Sequence, residues 1–312
     1  MGQLRKRHHY ASESYLGRFT GPDGLLWIYP VDESEPQPVN PRNAAVERYL
    51  YAPEVGEKPR DDAVEVVLAE MVDGPAVPAI NRLIRGEQLL PEDRSIVAFY
   101  VAVQELRVPA IRDQHGLNLE HLFGMTTDVL VEHPEHVKEK AAEMGLPPQQ
   151  VLAGLQAIKD GRLQLRATKV SWLHSLFEVV RGTAPLIAKL PWLVVEAPPG
   201  FEFLTSDCPV VKVLTDRSVR DLYAGGWLSP SAEATLVLDP EHVLLITPEG
   251  GEGRQLGRPG WCEDVNRRTL EQAYRYVFGR SRADWIARAI HQRVHCRTTH
   301  ACTGQPATPS AW

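Results

Sequence analysis

The sequence of 312 residues is poor in cysteine and has no long apolar run. Its four cysteines, Cys208, Cys262, Cys296 and Cys302, show no close paired spacing, which argues against a disulfide framework. No stretch approaches the ~20 consecutive apolar residues that would span a bilayer. No apolar run follows the basic residues near the start, as it would in a secretory signal. We therefore expect no membrane partner and a cytoplasmic location.

The short motifs of several enzyme classes are also missing. The sequence has no GxxxxGK[ST] loop, no GxGxxG between a strand and a helix, no GxSxG elbow and no HExxH helix. The formal net charge is -6, so no overall positive charge favours a nucleic-acid partner. Any function must therefore rest on residues outside these motifs.

Two strong helices are predicted in the first third of the chain. In the first, apolar residues at i, i+3, i+4 and i+7 share one face, with Glu65 and Glu70 on its flanks. That face comprises Val64, Val67, Leu68 and Met71. The second helix begins at Pro91 and ends near Pro109, and its middle is apolar nearly all round, which predicts a central buried helix.

Arg107 lies in the middle of the main apolar face of this second helix. An unpaired buried charge is very costly. We therefore expect Arg107 to be largely buried and to contact Glu65 or Glu70.

After Pro191 the pattern changes to short apolar runs separated by Pro, Gly and Asp, which predict an antiparallel sheet over 192–248. The expected fold class is α+β, with a helix-rich N-terminal and central part and a mostly antiparallel sheet in the C-terminal half. Residues 1–295 are expected to form a single α+β domain. Residues 296–312 are expected to form a loose C-terminal tail.

Two polar motifs lie far apart in the sequence. The opening stretch RKRHHYASESYLGRF contains His8 and His9, whose side chains would point to opposite sides of a strand, so at most one would face a given site. The stretch FEFLTSDCPV places Ser206 and Asp207 at a strand end or tight turn, where a scaffold can present polar groups to a cleft. The alternative is a turn in which Asp207 only caps the backbone.

Taken together, these motifs resemble the domain of unknown function 4238 family. The matching residues include Arg7, His8, His9, Tyr10, Tyr15, Leu16, Phe19, Glu65, Glu70, Gln104, Arg107, Pro109, Thr205, Ser206, Asp207, Pro209, Leu228, Ser229 and Pro230. The resemblance covers roughly residues 6–279, with one departure at 11–14, where Ala-Ser-Glu-Ser replaces the family's usual Val-Pro-Gln-Phe. The family has no assigned activity, so the resemblance implies an architecture and a residue set but no reaction.

A metal-assisted hydrolase is the first of three functions that the sequence leaves open. The candidate metal ligands are the histidines and glutamates of the motifs, His8, His9, Glu65 and Glu70. The candidate catalytic residues are Asp207, Arg107 and Gln104. A mixed nitrogen and oxygen ligand set suits Mn, Fe or Zn, and such a metal would activate water against a small-molecule or phosphoester substrate.

The second function is a non-enzymatic binding or interaction protein. In it, Glu65, Glu70 and Arg107 would form a structural salt bridge, and the histidines would donate to carbonyls. The third is a nuclease-like effector, because the basic stretch QLRKRHH could contact phosphates. The net charge of -6 disfavours nucleic acid without excluding it.

Overall fold

The computed structural model describes residues 6–52, 62–215 and 226–303, the last ten of these by their backbone alone. The described helices are α1 (Glu13–Leu16), α2 (Ala63–Leu68), α3 (Gly74–Arg85), α4 (Pro91–Leu106), α5 (Pro109–Glu132), α6 (Pro134–Glu143), α7 (Pro148–Lys159), α8 (Lys169–Ile187), α9 (Pro259–Gln272) and α10 (Asp284–Thr303). The described strands are β1 (Arg7–His9), β2 (Leu26–Pro30), β3 (Gln37–Val39), β4 (Val46–Arg48), β5 (Trp192–Glu196), β6 (Thr205–Ser206), β7 (Val210–Leu214), β8 (Ala232–Asp239), β9 (His242–Ile246), β10 (Gly253–Leu256) and β11 (Tyr276–Gly279).

The strands form three sheets, and the predicted α+β class is confirmed. The largest sheet has the order β10-β5-β9-β8-β7 and is antiparallel except for the β10-β5 pair. A second sheet, β3-β2-β11-β6, joins N-terminal strands to C-terminal ones, and β1 pairs with β4. The motif strand β6 therefore lies outside the main sheet, although sequence reasoning had placed it in one sheet with its neighbours.

Helix α4 lies at the centre of the protein, as predicted. Val97, Ala98, Val101 and Ala102 are fully buried, and α4 packs along α8 as well as α3. Because α4 is covered on several sides, the polar groups at its C-terminal end need internal partners.

The first predicted helix is interrupted by a π-helical turn at Ala69–Asp73, between α2 and α3. The N–H of Gly74 donates to the carbonyl of Ala69, and a Cβ at position 74 would lie 3.3 Å from that oxygen. The predicted apolar face is wrong in part, because Val67 and Met71 are exposed. Leu68 is buried as predicted, and the other buried residues are Glu65 and Val72.

The extended helices α5, α6 and α7, with the segment that follows them to residue 168, form a unit that we call the helical arm. Each of the three helices begins at a proline, which suits the first turn because its missing N–H has no helical acceptor. The three helices bury few of their side chains, namely Pro109, Thr127, Val137, Ala141 and Ala157. The arm therefore presents most of its surface to its surroundings.

The C-terminal helix extends further than predicted. Helix α10 continues to Thr303, so the backbone of residues 296–303 is helical. Residues 304–312 lie outside the described residues. Among the described residues, no helix is both long and apolar enough to cross a membrane.

Candidate functional site

Arg107 is fully buried, as predicted, but its partner is Asp73. Its two terminal nitrogens donate to the two carboxylate oxygens of Asp73 at 2.9 and 3.0 Å. The predicted contact with Glu65 or Glu70 is wrong, because the π-helical turn brings Asp73 to the end of α4. Burial alone would lower the pKa of Arg107, but the Asp73 carboxylate, together with Tyr51 and Tyr100, raises the pKa above its usual value.

Gln104 completes the surroundings of this guanidinium. Its amide oxygen accepts from Arg107 Nε at 2.9 Å, and its amide nitrogen donates to the Tyr100 hydroxyl at 2.7 Å. Arg107 Nε also donates to the backbone carbonyl of Tyr10, which belongs to the opening motif. Gln104 and Arg107, both predicted to be catalytic, thus lie together and hydrogen-bond to each other.

His8 is buried in a column of aromatic rings. Its ring stacks on Tyr51, with centroids 5.7 Å apart, and Tyr51 stacks in turn on Trp172 at 5.8 Å. His8 Nδ1 accepts the backbone N–H of Tyr51 at 3.0 Å. This contact anchors the chain after β4. The structural alternative had the histidines donate to carbonyls, whereas this nitrogen of His8 accepts a backbone N–H.

His9 and Glu65 lie together, as two of the four candidate metal ligands. The backbone N–H of His9 donates to Glu65 Oε1 at 3.1 Å, and its Nδ1 lies 3.8 Å from the same oxygen. The other ring nitrogen of His9 lies 3.2 Å from the carbonyl of Arg42. Glu70 is exposed and has no hydrogen-bond or ion-pair partner within the described part of the chain. Two of the predicted ligands are therefore in contact, and Glu70 stands apart.

Asp207 caps the backbone, as in the alternative reading of its motif. Its two carboxylate oxygens accept the N–H groups of Tyr274 and Arg275 at 2.8 and 2.6 Å. Burial raises the pKa of Asp207 to about 6, against the lowering effect of these two hydrogen bonds. Burial and the negative charge of Asp207 raise the pKa of Tyr10. Asp207 therefore interacts electrostatically with Tyr10 of the opening motif.

The neighbouring motif residues are also paired inside the protein. The Thr205 hydroxyl lies 2.7 Å from the hydroxyl of Tyr15. The Tyr15 hydroxyl also donates to the carbonyl of Val237. The Ser206 hydroxyl accepts the N–H of Cys208 and contacts its carbonyl, forming a local turn. These contacts join the opening motif, β6 and β8 across the core.

No metal cluster emerges from these positions. In residues 6–52, 62–215 and 226–303, no group of three or more His, Cys, Asp or Glu side chains is placed to hold a metal ion. Metal binding by His8, His9, Glu65 and Glu70 stays a prediction without such a cluster to support it.

Sequence reasoning gave no indication of a groove on the helical arm. One cavity, of about 500 Å³, is lined by Phe123, Gly124, Ile158, Leu163 and Leu165 among others. The second, of about 420 Å³, is lined by Gly116, Leu117, Lys169 and Trp172 among others. Both cavities are lined by Glu120, so they adjoin along α5. Through Trp172, the groove borders the aromatic column that contains His8.

The polar end of the groove is held by an ion-pair network. Arg112 contacts both Glu47 and Asp113, and Glu47 also pairs with Arg275. The hydroxyl of Tyr274 donates to Asp113, whose pKa lies below its usual value because the lowering hydrogen bonds outweigh burial. This network fixes the rim next to the segment that Asp207 caps.

Asp73 and the groove residues were missed for different reasons. Asp73 carries no sequence signal beyond its charge, because its placement depends on the π-helical turn. The groove lining mixes apolar, polar and glycine residues, and none of them belongs to a motif with a known function. The pair Gly116 and Gly124 within one long helix was the signal that could have been read.

Comparison with known proteins identifies the family of this chain. The fold and motif residues define an α+β protein in which a saturated polar network surrounds the end of a central helix. The family described as "Protein of unknown function (DUF4238)" has a model that matches residues 7–283, and the chain belongs to this family. No curated protein and no solved structure matches the chain.

Proposed function

We propose that this chain is a non-enzymatic binding protein whose polar network is a structural frame and whose ligand occupies the groove on the helical arm. The observation that carries the proposal is the internal pairing of the motif side chains. Arg107, Gln104 and Asp207 each direct their hydrogen bonds at groups of this same chain. A side chain that is already saturated has little left to offer a substrate.

The groove offers an accessible surface for a ligand, which the buried polar network does not. Its two cavities, about 500 and 420 Å³, fall within the ~300–1,000 Å³ typical of ligand sites. Leu163 and Leu165 are 54% and 44% exposed around one of them. Apolar side chains exposed around one concave surface favour ligand contact over solvent contact.

The two other functions have less support. A metal-assisted hydrolase needs three or more converging ligands, and the described residues offer the pair His9 and Glu65 with Glu70 apart. A nuclease-like effector needs cations free to meet phosphates. Of the basic opening stretch, Arg7 already donates to Asn43.

The binding function can be tested with Nile red, a neutral dye that fluoresces in apolar surroundings. We expect saturable binding to the native protein and loss of that binding in Gly124→Leu, which fills the groove. Gly182→Leu is the matched control, because Gly182 lies in α8 outside the groove and also has open space around its Cβ position. Equal dye binding by both variants would contradict a ligand site in the groove.

Elemental analysis of the untagged protein tests the competing hydrolase. We expect metal far below one equivalent and no rise in Tm on adding Mn²⁺ or Zn²⁺. One equivalent of metal that disappears in Glu65→Gln would overturn the binding proposal in favour of metal chemistry.

A further inference from the structure

The outer face of the two-stranded sheet β1–β4 carries two arginines side by side, and we propose that this face binds a phosphate monoester dianion. Arg7 and Arg48 lie directly opposite each other in the register of the two strands. Both are exposed, whereas the next pair in the register, His8 and Glu47, belongs to the inner face. The site lies on the sheet surface and goes beyond the groove of the proposed function.

The pairing of Arg7 with Arg48 is unfavourable in the free protein. Like charges at directly opposite positions of a sheet repel each other, because their Cβ atoms lie only ~4.5–5.5 Å apart. Most arginines elsewhere in the described chain pair with a carboxylate, as Arg268 does with Glu233. Arg7 and Arg48 have no ion-pair partner among the described residues. An anion from outside the chain would relieve the repulsion.

The carboxylates beside the sheet are already occupied by other groups. Glu47 lies on the inner face and pairs with Arg112 and Arg275. Glu65 is buried and accepts the backbone N–H of His9. Neither carboxylate forms an ion pair with the two opposed arginines, so the outer face keeps its positive charge.

Both guanidinium groups retain donors for a ligand. Arg7 donates one N–H to the neutral side chain of Asn43 at 2.9 Å, which leaves its charge uncompensated. The guanidinium of Arg48 lies over the ring of Tyr49, 5.1 Å from the centroid, and this contact uses no hydrogen bond. A guanidinium has five N–H donors in a fork that matches the oxygens of a phosphate. Two such forks from opposite positions can therefore hold one phosphate.

The backbone on both sides of β4 is strained. Ala45 and Tyr49 have left-handed backbones, with φ of 48° and 56°, which is uncommon for alanine and an outlier for a bulky tyrosine. Such strain concentrates at functional sites. The Tyr49 N–H donates to the carbonyl of Lys6 at 3.0 Å, and its carbonyl accepts from Lys169 Nζ at 2.9 Å. Lys169 thereby adds a third positive charge next to Arg48.

The small extent of this positive face favours a compact anion. The whole chain has a net charge of -6, so the positive potential is local to the sheet. An extended polyanion would continue from the sheet onto negatively charged surface, whereas a single phosphate would contact the cations alone. A phosphate monoester near neutral pH carries up to two negative charges, which match two guanidinium groups, and a diester carries one.

Calorimetric titration of the full chain at pH 8 and low salt tests the inference with three probes. The probes are phenyl phosphate, methyl phenyl phosphate, and dodecathymidylate without a terminal phosphate. The first two share the aromatic ring and differ in charge. We expect phenyl phosphate to bind at one equivalent and at least ~10-fold more tightly than its methyl ester, because it can make a second charge-assisted contact. Added NaCl should weaken this binding.

Four variants locate the site. Arg7→Gln and Arg48→Gln should each weaken phenyl phosphate binding by ~10-fold or more. Arg288→Gln is the matched control, because Arg288 is an exposed arginine of α10 without an ion-pair partner among the described residues. It removes the same charge and should leave the affinity unchanged. Gly124→Leu, which fills the groove, should also leave phenyl phosphate binding unchanged.

Thermal unfolding distinguishes a binding arginine from a structural one. Without phosphate, Arg48→Gln removes a repulsion and should not lower the Tm. Phenyl phosphate should raise the Tm of the wild-type protein and have little effect on that of the variant, since a ligand stabilises the fold only where it binds. A lower Tm of Arg48→Gln without ligand would show that Arg48 supports the fold instead.

Three further outcomes would overturn the inference. Absence of phenyl phosphate binding, or equal affinity for phenyl phosphate and its methyl ester, would remove the dianion site. Binding that is unchanged in both Arg7→Gln and Arg48→Gln would place the anion elsewhere on the protein. Tighter binding of dodecathymidylate that depends on both arginines would replace the compact anion with a nucleic-acid strand.

Discussion

Asp73 and Arg107 form a two-bond ion pair in which the guanidinium is completely buried. Breaking a buried pair leaves a charge without a counter-ion and costs ~3–5 kcal/mol. We expect Arg107→Ala and Asp73→Asn each to lower the free energy of unfolding in urea by about that amount. Arg85→Ala, which removes an exposed pair with Glu87, is the control and should cost less than ~1 kcal/mol. Equal losses of unfolding free energy at the Asp73–Arg107 and Arg85–Glu87 pairs would contradict the role of Asp73 as the buried counter-ion of Arg107.

The π-helical turn predicts an unusual response to alanine. In a regular helix, Gly→Ala stabilises by up to ~1 kcal/mol. At Gly74, however, the new Cβ would lie 3.3 Å from the carbonyl of Ala69, and the same turn positions Asp73. We therefore expect Gly74→Ala to lower the free energy of unfolding by ~1 kcal/mol, while Gly182→Ala in α8 raises it. If Gly74→Ala and Gly182→Ala both stabilise the protein, the π-helical turn accommodates the alanine methyl group without loss of stability.

Asp207 predicts a pH dependence of stability. Its pKa is about 6 in the folded protein, mainly because of burial, against 3.8 for an ordinary aspartate. The folded state thus holds the proton more tightly, so the stabilising contribution is complete below pH ~4 and is lost as pH rises through ~6. The expected loss is roughly 3 kcal/mol.

Urea unfolding between pH 4 and pH 7 measures this effect, with Asp207→Asn as the reference because its amide does not titrate. The wild-type protein should lose stability relative to the variant across that range. A difference between the two that stays constant with pH would show that the two backbone N–H bonds hold the pKa near its usual value.

The hydroxyl of Tyr15 joins two distant strands through Thr205 and the carbonyl of Val237. Tyr15→Phe keeps the ring but removes the hydroxyl, so both partners stay buried without that hydrogen bond. We expect this to lower the free energy of unfolding by ~1–3 kcal/mol. Tyr274→Phe removes a hydroxyl on a 42%-exposed ring and should cost much less. Thermal unfolding of the two variants would compare them directly, and a similar Tm would contradict the prediction.

The spacing of apolar residues and the positions of turn residues were enough to predict the fold class. The all-round apolar pattern of α4 identified the central helix, and short runs bounded by turn residues identified the main sheet. The same reasoning misplaced the buried face of the helix that begins at α2, because it considers only apolar residues and assigns no buried position to a glutamate. Glu65 faces inward since it accepts the N–H of His9, a contact with a segment more than fifty residues away.

Most polar residues of the candidate site could be predicted from the sequence, but few of their contacts could. Gln104 and Arg107 are three residues apart at the C-terminal end of α4, so their proximity follows from helical spacing. Asp73 required an inserted turn that no periodic pattern contains. For Asp207, the sequence allowed both a cleft residue and a backbone cap, and only the positions of Tyr274 and Arg275 distinguish them.

The sparse burial in α5, α6 and α7 also bears on how the molecule opens. A segment with few buried side chains has little free energy opposing its local unfolding, so it can open while the central core stays closed. Amide hydrogens of the helical arm should then exchange with solvent through a separate, lower-energy opening than those of α4. A ligand that bridges α5 and the start of α8 would close that opening, and slower exchange in the arm would report its binding without any spectroscopic label.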